Sequence, residues 1–209
     1  MKKVLAAMLL CVASLAAFAQ TEKGTQNIGA SFAIQNTDSK NTYFNGVGNT
    51  TDKNKLNAYS VSANYGYFIA DKLDIGVSAG YDFQENRQES DNSDYLQKYK
   101  GLFAGVQLRK YILFNDKVGI RTGPSLQYSR DRQTSNFNEE SDNVTTTNSY
   151  TGRVGLDFVF YSTKHLGVTS NIANVSYSHS KSTGYNTGSA NTFSANLVNY
   201  LNLGFFYSW

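Results

Sequence analysis

The 209 residues carry 19 Lys and Arg against 16 Asp and Glu, a formal charge of +3, with 17 Gly, one Pro and one Cys. That near balance offers no basic surface for nucleic acid, and a lone cysteine offers neither a disulfide framework nor a zinc site. Fifteen Tyr and 13 Phe, set among many Asn, Ser and Thr, favour strands and turns over helices.

The chain opens on MKKVLAAMLLCVASLAAFAQ: two lysines, an apolar run from Val4, then Ala17-Phe18-Ala19 as a small-x-small cleavage site. This is the pattern of a secretory signal peptide, and the run is shorter than the ~20 apolar residues of a bilayer-spanning helix. Cys11 follows Leu10, where a lipoprotein signal needs a small residue, so it is expected to leave with the signal. The expected organisation is a signal at 1–19, removed on export, and one domain at 20–209. The mature chain is then close to neutral and has no cysteine in an oxidising compartment, so backbone pairing and burial alone must hold it.

From Ala19 onward apolar residues recur with period two, the mark of strands with one apolar face. Eight stretches are expected, at 25–36, 56–69, 73–84, 98–113, 117–130, 149–162, 166–178 and 192–209. Their apolar faces include Ile28, Phe32 and Ile34; Tyr59, Val61 and Tyr65; Ile75, Val77 and Tyr81; Leu102, Val106 and Leu108. Later strands add Leu126 and Tyr128; Val154, Phe158 and Phe160; Leu166 and Val168; and Leu201, Leu203, Phe205, Tyr207 and Trp209. In the seventh stretch the phase switches near Ala173, Val175 and Tyr177, which predicts a bulge there.

Connections alternate in length. Tight turns fall at Asp71-Lys72, Asn115-Asp116-Lys117 and Thr163-Lys164-His165, and long polar loops at 37–55, 85–97, 131–148 and 179–191. An antiparallel barrel explains this, because alternate connections emerge at the same end. YFIADKLDIGVSAGY and YILFNDKVGIRTGPSLQY repeat one hairpin pattern, with FYSTKHLGVTSNI a looser third copy.

Aromatic residues gather at strand ends. Tyr67, Phe68, Tyr111, Phe114, Phe160, Tyr161, Tyr207 and Trp209 lie beside the short turns. Tyr59, Tyr81, Phe83, Tyr99, Tyr128, Tyr150, Tyr177 and Phe193 lie near the long loops. As two girdles they would bracket an apolar band: Tyr59 to Tyr67 spans roughly 20 Å of height and Tyr99 to Tyr111 roughly 30 Å, around the ~25 Å such barrels show. The opposite faces carry Asp74, Asp82, Gln107, Arg109, Arg121, Gln127, Arg153 and Asp157 among glycines, and these are assigned to the interior. An eight-stranded interior is just wide enough for side chains to fill it.

The signal, the alternating strands, the tight turns and the ending LNLGFFYSW resemble the small eight-stranded outer-membrane barrels of Gram-negative bacteria, the OmpX and OmpA transmembrane-domain type. The resemblance covers the whole mature chain and implies an all-β, eight-stranded antiparallel up-and-down transmembrane β-barrel in the cell outer membrane. In that family a terminal aromatic residue, usually Phe, marks the strand read by the barrel-assembly machinery, and here the position holds Trp209. The implied partners are that machinery, outer-membrane lipid and lipopolysaccharide, with an unidentified extracellular ligand for the loops and a monomeric state.

No cofactor, metal or catalytic site is expected. His165 and His179 lie at opposite ends of one strand, some 45 Å apart at ~3.3 Å per residue, too far to share a metal. His179 in YSHSKS resembles the surface His of lipid A deacylase barrels, but Lys181 breaks their His-x-Ser-Asn spacing, and an orienting acid could come only from Glu139, Glu140 or Asp142. Glu85, Glu89, Asp91 and Asp94 beside Arg87 lack the order of a calcium loop and are expected to be a solvated surface segment. The function expected is a non-enzymatic barrel with a side-chain-filled lumen, displaying four polar loops for surface interaction or envelope integrity. A narrow transport barrel and a lipid A-modifying enzyme are the alternatives.

Overall fold

The computed structural model describes residues 21–44, 49–90, 93–137, 143–197 and 202–209. Those residues form nine antiparallel strand segments: β1 (Gln26–Phe44), β2 (Asn49–Ala70), β3 (Leu73–Ser90), β4 (Ser93–Leu113), β5 (Val118–Phe137), β6 (Asn143–Tyr161), β7 (Leu166–Gly184), β8 (Gly188–Leu197) and β9 (Asn202–Ser208). Each of β1 to β7 pairs with its sequence neighbour, β8 and β9 both pair with β7, and β9 pairs with β1. The ring therefore has eight strand positions. The last expected strand, 192–209, is shared by β8 and β9, with Leu201 outside the described residues.

Closure runs from Asn27 opposite Ser208 to Ala33 opposite Asn202, and Gln26 and Trp209 exchange both backbone bonds at 3.0 Å. A closed ring satisfies edge groups that hydrocarbon could not.

Sequence sets each turn. Lys72 takes φ 60° in the two-residue connection after Ala70. In the second turn the Asn115 carboxamide oxygen accepts the Lys117 and Val118 amides at 2.9 and 2.8 Å. Thr163 Oγ1 does the same for His165 and Leu166, at 3.3 and 3.0 Å. Short polar side chains that bond the backbone two or three residues on are what lets these turns be tight.

The expected bulge is present in β7. Leu156 pairs with Ala173 and Asp157 with Asn171, leaving Ile172 as the extra residue. Thr169 and Asn171 face inward below it, and Asn174 and Ser176 face inward above it.

The four long connections differ from expectation. Most of 37–55, 85–97, 131–148 and 179–191 is strand: β1 and β2 stay in register out to Phe44 opposite Asn49, and β3 and β4 out to Ser90 opposite Ser93. Thr, Ser and Asn pair across these hairpins, as in Thr42 with Thr51 at 3.2 Å and Thr147 with Ser182 at 2.8 Å. Lys53 and Lys98 reach Glu89 and Glu85 at 4.0 and 3.3 Å. Polar composition therefore marks where the wall leaves the apolar band, while the ladder itself continues. Of the acids discussed above, Asp91, Glu139, Glu140 and Asp142 lie outside the described residues.

The outward face is apolar through the middle of the wall, with Val77, Leu102, Val106, Leu126 and Val154 all more than half exposed. The aromatic set needs a correction. Tyr67, Phe114, Phe160, Tyr207 and Trp209 do face outward at the turn end, but Phe68, Tyr111 and Tyr161 are buried at 1%, 2% and 0%. Tyr99 also points inward, toward Asp131 and Gln84. Strand parity decides this: Tyr111 is two residues from Arg109, and Tyr161 four from Asp157, so each shares the interior face.

Candidate functional site

All eight polar side chains assigned to the interior lie there: Asp74 is buried in the lumen floor and the other seven line the cavity above it. At the turn end the lumen has a floor. Asp74 and Arg109 are register partners on β3 and β4, and Arg109 donates from Nε to Oδ1 at 2.9 Å and from Nη2 to Oδ2 at 2.6 Å. Tyr111 Oη and Asn27 Nδ2 donate to the same Oδ2 at 3.1 and 3.2 Å. Four donors on one side chain that is 0% exposed leave neither of its oxygens without a partner.

Beneath and beside that carboxylate, Phe68, Tyr111, Val159, Tyr161 and Phe206 form an apolar cluster. Phe68 packs on Tyr111 at 5.2 Å between ring centres, and Tyr161 meets Phe206 edge-on at 5.3 Å and 89°. The Phe206 ring occupies the space that a Cβ on Gly167 would take, so that glycine is what lets the ring lie flat on the wall.

A second polar chain climbs from the floor. Arg121 donates to Asp157 at 2.8 Å, Asn171 to Asp157 at 2.8 Å, Asn174 to Asn171 at 3.2 Å and Asn196 to Asn174 at 3.3 Å. It links β5 through β8, and the bulge at Ile172 is what allows both Asn171 and Asn174 to join it.

Above the floor the lumen is not filled. A polar cavity of about 460 Å³ is lined by Ser31, Ser62, Ser78, Gln107, Arg153 and their neighbours. A vestibule of about 350 Å³ continues it past Asp82, Tyr99 and Asp131. Ser31, Ser60, Ser62, Ser78, Asn64 and Asn196 are too short to meet across the ring at these heights, so the longer Phe103, Gln107, Gln127 and Arg153 leave space between them.

The Asp131 carboxyl is pushed above its ordinary value, first by burial and then by Asp82, while the bond from Ser129 Oγ at 3.0 Å opposes the shift. Asp82 and Asp131 flank Gly101 in the ladder, and the Asp131 carboxylate lies where a Cβ on Gly101 would sit.

The two histidines are held in unrelated places. His165 Nδ1 is 2.7 Å from the Ser208 carbonyl and its ring stacks on Tyr207. His179 faces outward with Nδ1 2.9 Å from Asn191 Oδ1, while its neighbours Ser178 and Ser180 fall on the other face of β7. Successive residues of a strand point to opposite faces, so no Ser–His pair forms there. Among the described residues no three His, Cys, Asp or Glu side chains converge to hold a metal.

Sequence reasoning missed Asn27, Phe206 and Asn171, which carry no charge to mark them as interior. Their parity within the strand was the available signal.

A family model for the outer membrane protein β-barrel domain matches residues 4–200. Among solved structures, the outer membrane protein OprG from Pseudomonas aeruginosa is 16% identical, covering 90% of this chain and 97% of its own, with a TM-score of 0.50. Ail, the attachment invasion locus protein of Yersinia pestis, is 16% identical over 90% of this chain and 99% of its own, at 0.39. A major outer membrane protein from Thermus thermophilus is 10% identical over 88% and 99%, at 0.47. A search of curated protein sequences finds no match. With an apolar outer face, a polar interior and a ring closed from β1 to β9 already established, the match over most of the chain places it in the outer membrane protein β-barrel family.

Proposed function

We propose that the protein is a non-enzymatic surface barrel of the outer membrane, delivered by a cleaved signal at 1–19. It presents four tall polar hairpins outside the cell, and its lumen is shut at the periplasmic floor. The supporting observation is the floor itself: Asp74, Arg109 and Tyr111 are bonded together and, with Phe68, Val159, Tyr161 and Phe206, pack the turn end of the lumen with buried side chains. On this reading the cavity above is a blind, water-filled cup, and the working surface is the set of hairpins, which meet an extracellular ligand or neighbouring envelope components. The chain acts as a monomer, surrounded by outer-membrane lipid and lipopolysaccharide, and β9 with Trp209 is the strand presented to the barrel-assembly machinery.

Reconstitution in planar bilayers tests the closed floor. Little steady conductance is expected. Reproducible open events of porin size would overturn it and favour the narrow transport barrel, and loss of acyl chains from lipid A in membranes carrying the protein would favour an enzyme.

A further inference from the structure

The outward face of β4 to β7, just past the Tyr128–Tyr150 pair, carries Lys100, Arg130, Arg132 and Lys181, all exposed. Lys100 stands directly opposite Arg132, and Arg130, Asn148 and Lys181 form one row across β5, β6 and β7. Side chains directly opposite in such a ladder are ~5 Å apart at Cβ, and like charges there repel. None of the four has an ion-pair partner among the described residues, and Glu85, two residues along β3 from the position opposite Lys100, is held by Lys98 at 3.3 Å. The β1–β3 side also sets like charges opposite each other, Lys40 with Lys53 and Lys55 with Arg87, but acids stand among them: Asp38 is opposite Lys55, and Lys53 and Arg87 both reach Glu89, at 4.0 and 3.6 Å. The β4–β7 row has no such acid interleaved among the described residues.

Directly below it, toward the turn end, the outer wall is concave. An almost wholly apolar groove of about 1070 Å³ runs over Ala104, Leu126, Tyr128, Tyr150, Gly152 and Tyr177. A second one of about 640 Å³ shares Leu126, Gly152 and Tyr177 and extends it past Val154 and Val175. Gly152 forms its base, and a Cβ there would meet only Leu126 Cδ2 at 3.7 Å, so the glycine leaves open space rather than relieving a clash. Tyr128 Oη donates to Asn148 Oδ1 at 2.9 Å and joins the groove to the basic row.

We propose that this face holds one phosphorylated, multiply acylated glycolipid of the lipid A type, with its acyl chains in the groove and its phosphate among Lys100, Arg130, Arg132 and Lys181. The inference rests on the outer-membrane reading above. Charge complementarity selects the occupant: an unneutralised basic row just beyond an aromatic girdle sits at the level of lipid phosphates, and guanidinium groups bind phosphate through paired bonds. A phosphate between Lys100 and Arg132 would turn their repulsion into a bridge. Acyl chains below it would cover apolar surface continuous with the bilayer.

Native mass spectrometry of the purified barrel in detergent tests this with three lipids: bisphosphorylated hexa-acyl lipid A, the same lipid without its phosphates, and phosphatidylglycerol. Phosphorylated lipid A is expected to stay bound at concentrations about tenfold below the other two, the scale of one charge-assisted contact. The triple variant Arg130→Ser, Arg132→Ser, Lys181→Ser should lose that preference, and Gly152→Trp should weaken the phosphorylated and dephosphorylated forms alike. Equal retention of the three lipids, stronger retention of phosphatidylglycerol, or an unchanged triple variant would overturn the site. If a variant fails to show the heat-modifiable gel mobility of a folded barrel, the three-lipid comparison on the native protein decides alone. Absence of the native protein from outer-membrane fractions would sink the location while leaving the lipid preference to be read in detergent.

Discussion

Arg109 and Asp74 are opposite residues of one ladder and share two parallel bonds inside the lumen, with both side chains under 10% exposed. Removing one partner strands the other charge in a dry site, so Asp74→Ala should cost about 3–5 kcal/mol. Replacing both, as Asp74→Leu with Arg109→Met, should restore most of it. Urea unfolding followed by gel mobility measures the difference. A single variant as stable as the double would show that water already reaches the pair.

The floor also depends on fit. Because the Phe206 ring lies where a Gly167 side chain would stand, Gly167→Val must push the ring off the wall, at about 1–3 kcal/mol. Phe206→Ala should cost about 3–5 kcal/mol by leaving a void against Tyr161. The double variant should fall short of the sum, since each change removes the same contact. Additive losses would mean the two residues act separately.

In the vestibule, burial and Asp82 raise the Asp131 carboxyl, so the folded state binds its proton more tightly than the unfolded chain does. The stability this contributes is complete below the unfolded value near 3.8 and is lost as pH rises through the higher folded value. Asp131→Asn should therefore flatten that part of the stability profile and make the barrel more stable than the native one at neutral pH. Unfolding midpoints at acid and neutral pH check both signs. A variant that is weaker at neutral pH would assign Asp131 a bonding role instead.

Trp209 ends the seam that joins β9 to β1, and its ring lies beside Tyr207 with 6.2 Å between centres. Changing Phe205, Tyr207 and Trp209 to Ser removes the outward apolar row of the closing strand while leaving its backbone bonds. Less folded barrel in the outer membrane and more chain in the periplasm are expected. Normal amounts of the variant with normal gel mobility would reduce these residues to ordinary lipid contacts.

Orientation has its own test. Tyr185 is 67% exposed at the tip between β7 and β8, whereas the ladders beside it are fully paired. Chymotrypsin on intact cells should cut after Tyr185 and spare the strands. Cleavage confined to the Phe114 turn would mean that the hairpins face the periplasm.

The ring, the turns and the bulge were legible in the sequence because each rests on short-range chemistry: alternation, Asn115 and Thr163 as turn formers, and a break of phase near Ala173. The interior charges were legible because lipid rejects them. The floor was not, since Phe68, Tyr111 and Tyr161 are as acceptable to a membrane interface as to a lumen, and clustering near the turns masked their parity. The tall hairpins were hidden for a related reason. Asn, Ser and Thr are read as loop residues, yet an antiparallel ladder in water needs only its backbone bonds and cross-strand pairs such as Thr42 with Thr51.

The extra residue Ile172 also says how this barrel can change length. Every residue of β7 above it keeps its side only because one residue is unpaired, so Tyr177 faces outward and Ser176 inward. Deleting Ile172 itself would remove the bulge and keep Ser176 opposite Arg153 and Tyr177 opposite Gly152 on their present sides, whereas deleting a paired residue above it would turn the strand beyond the cut inside out, presenting serine to the bilayer and Tyr177 to the cavity. Deleting or adding two would leave both faces as they are. Single-residue insertions and deletions are therefore filtered out along this wall while paired ones pass, and relatives should differ in strand length by even steps except where a bulge has been gained or lost.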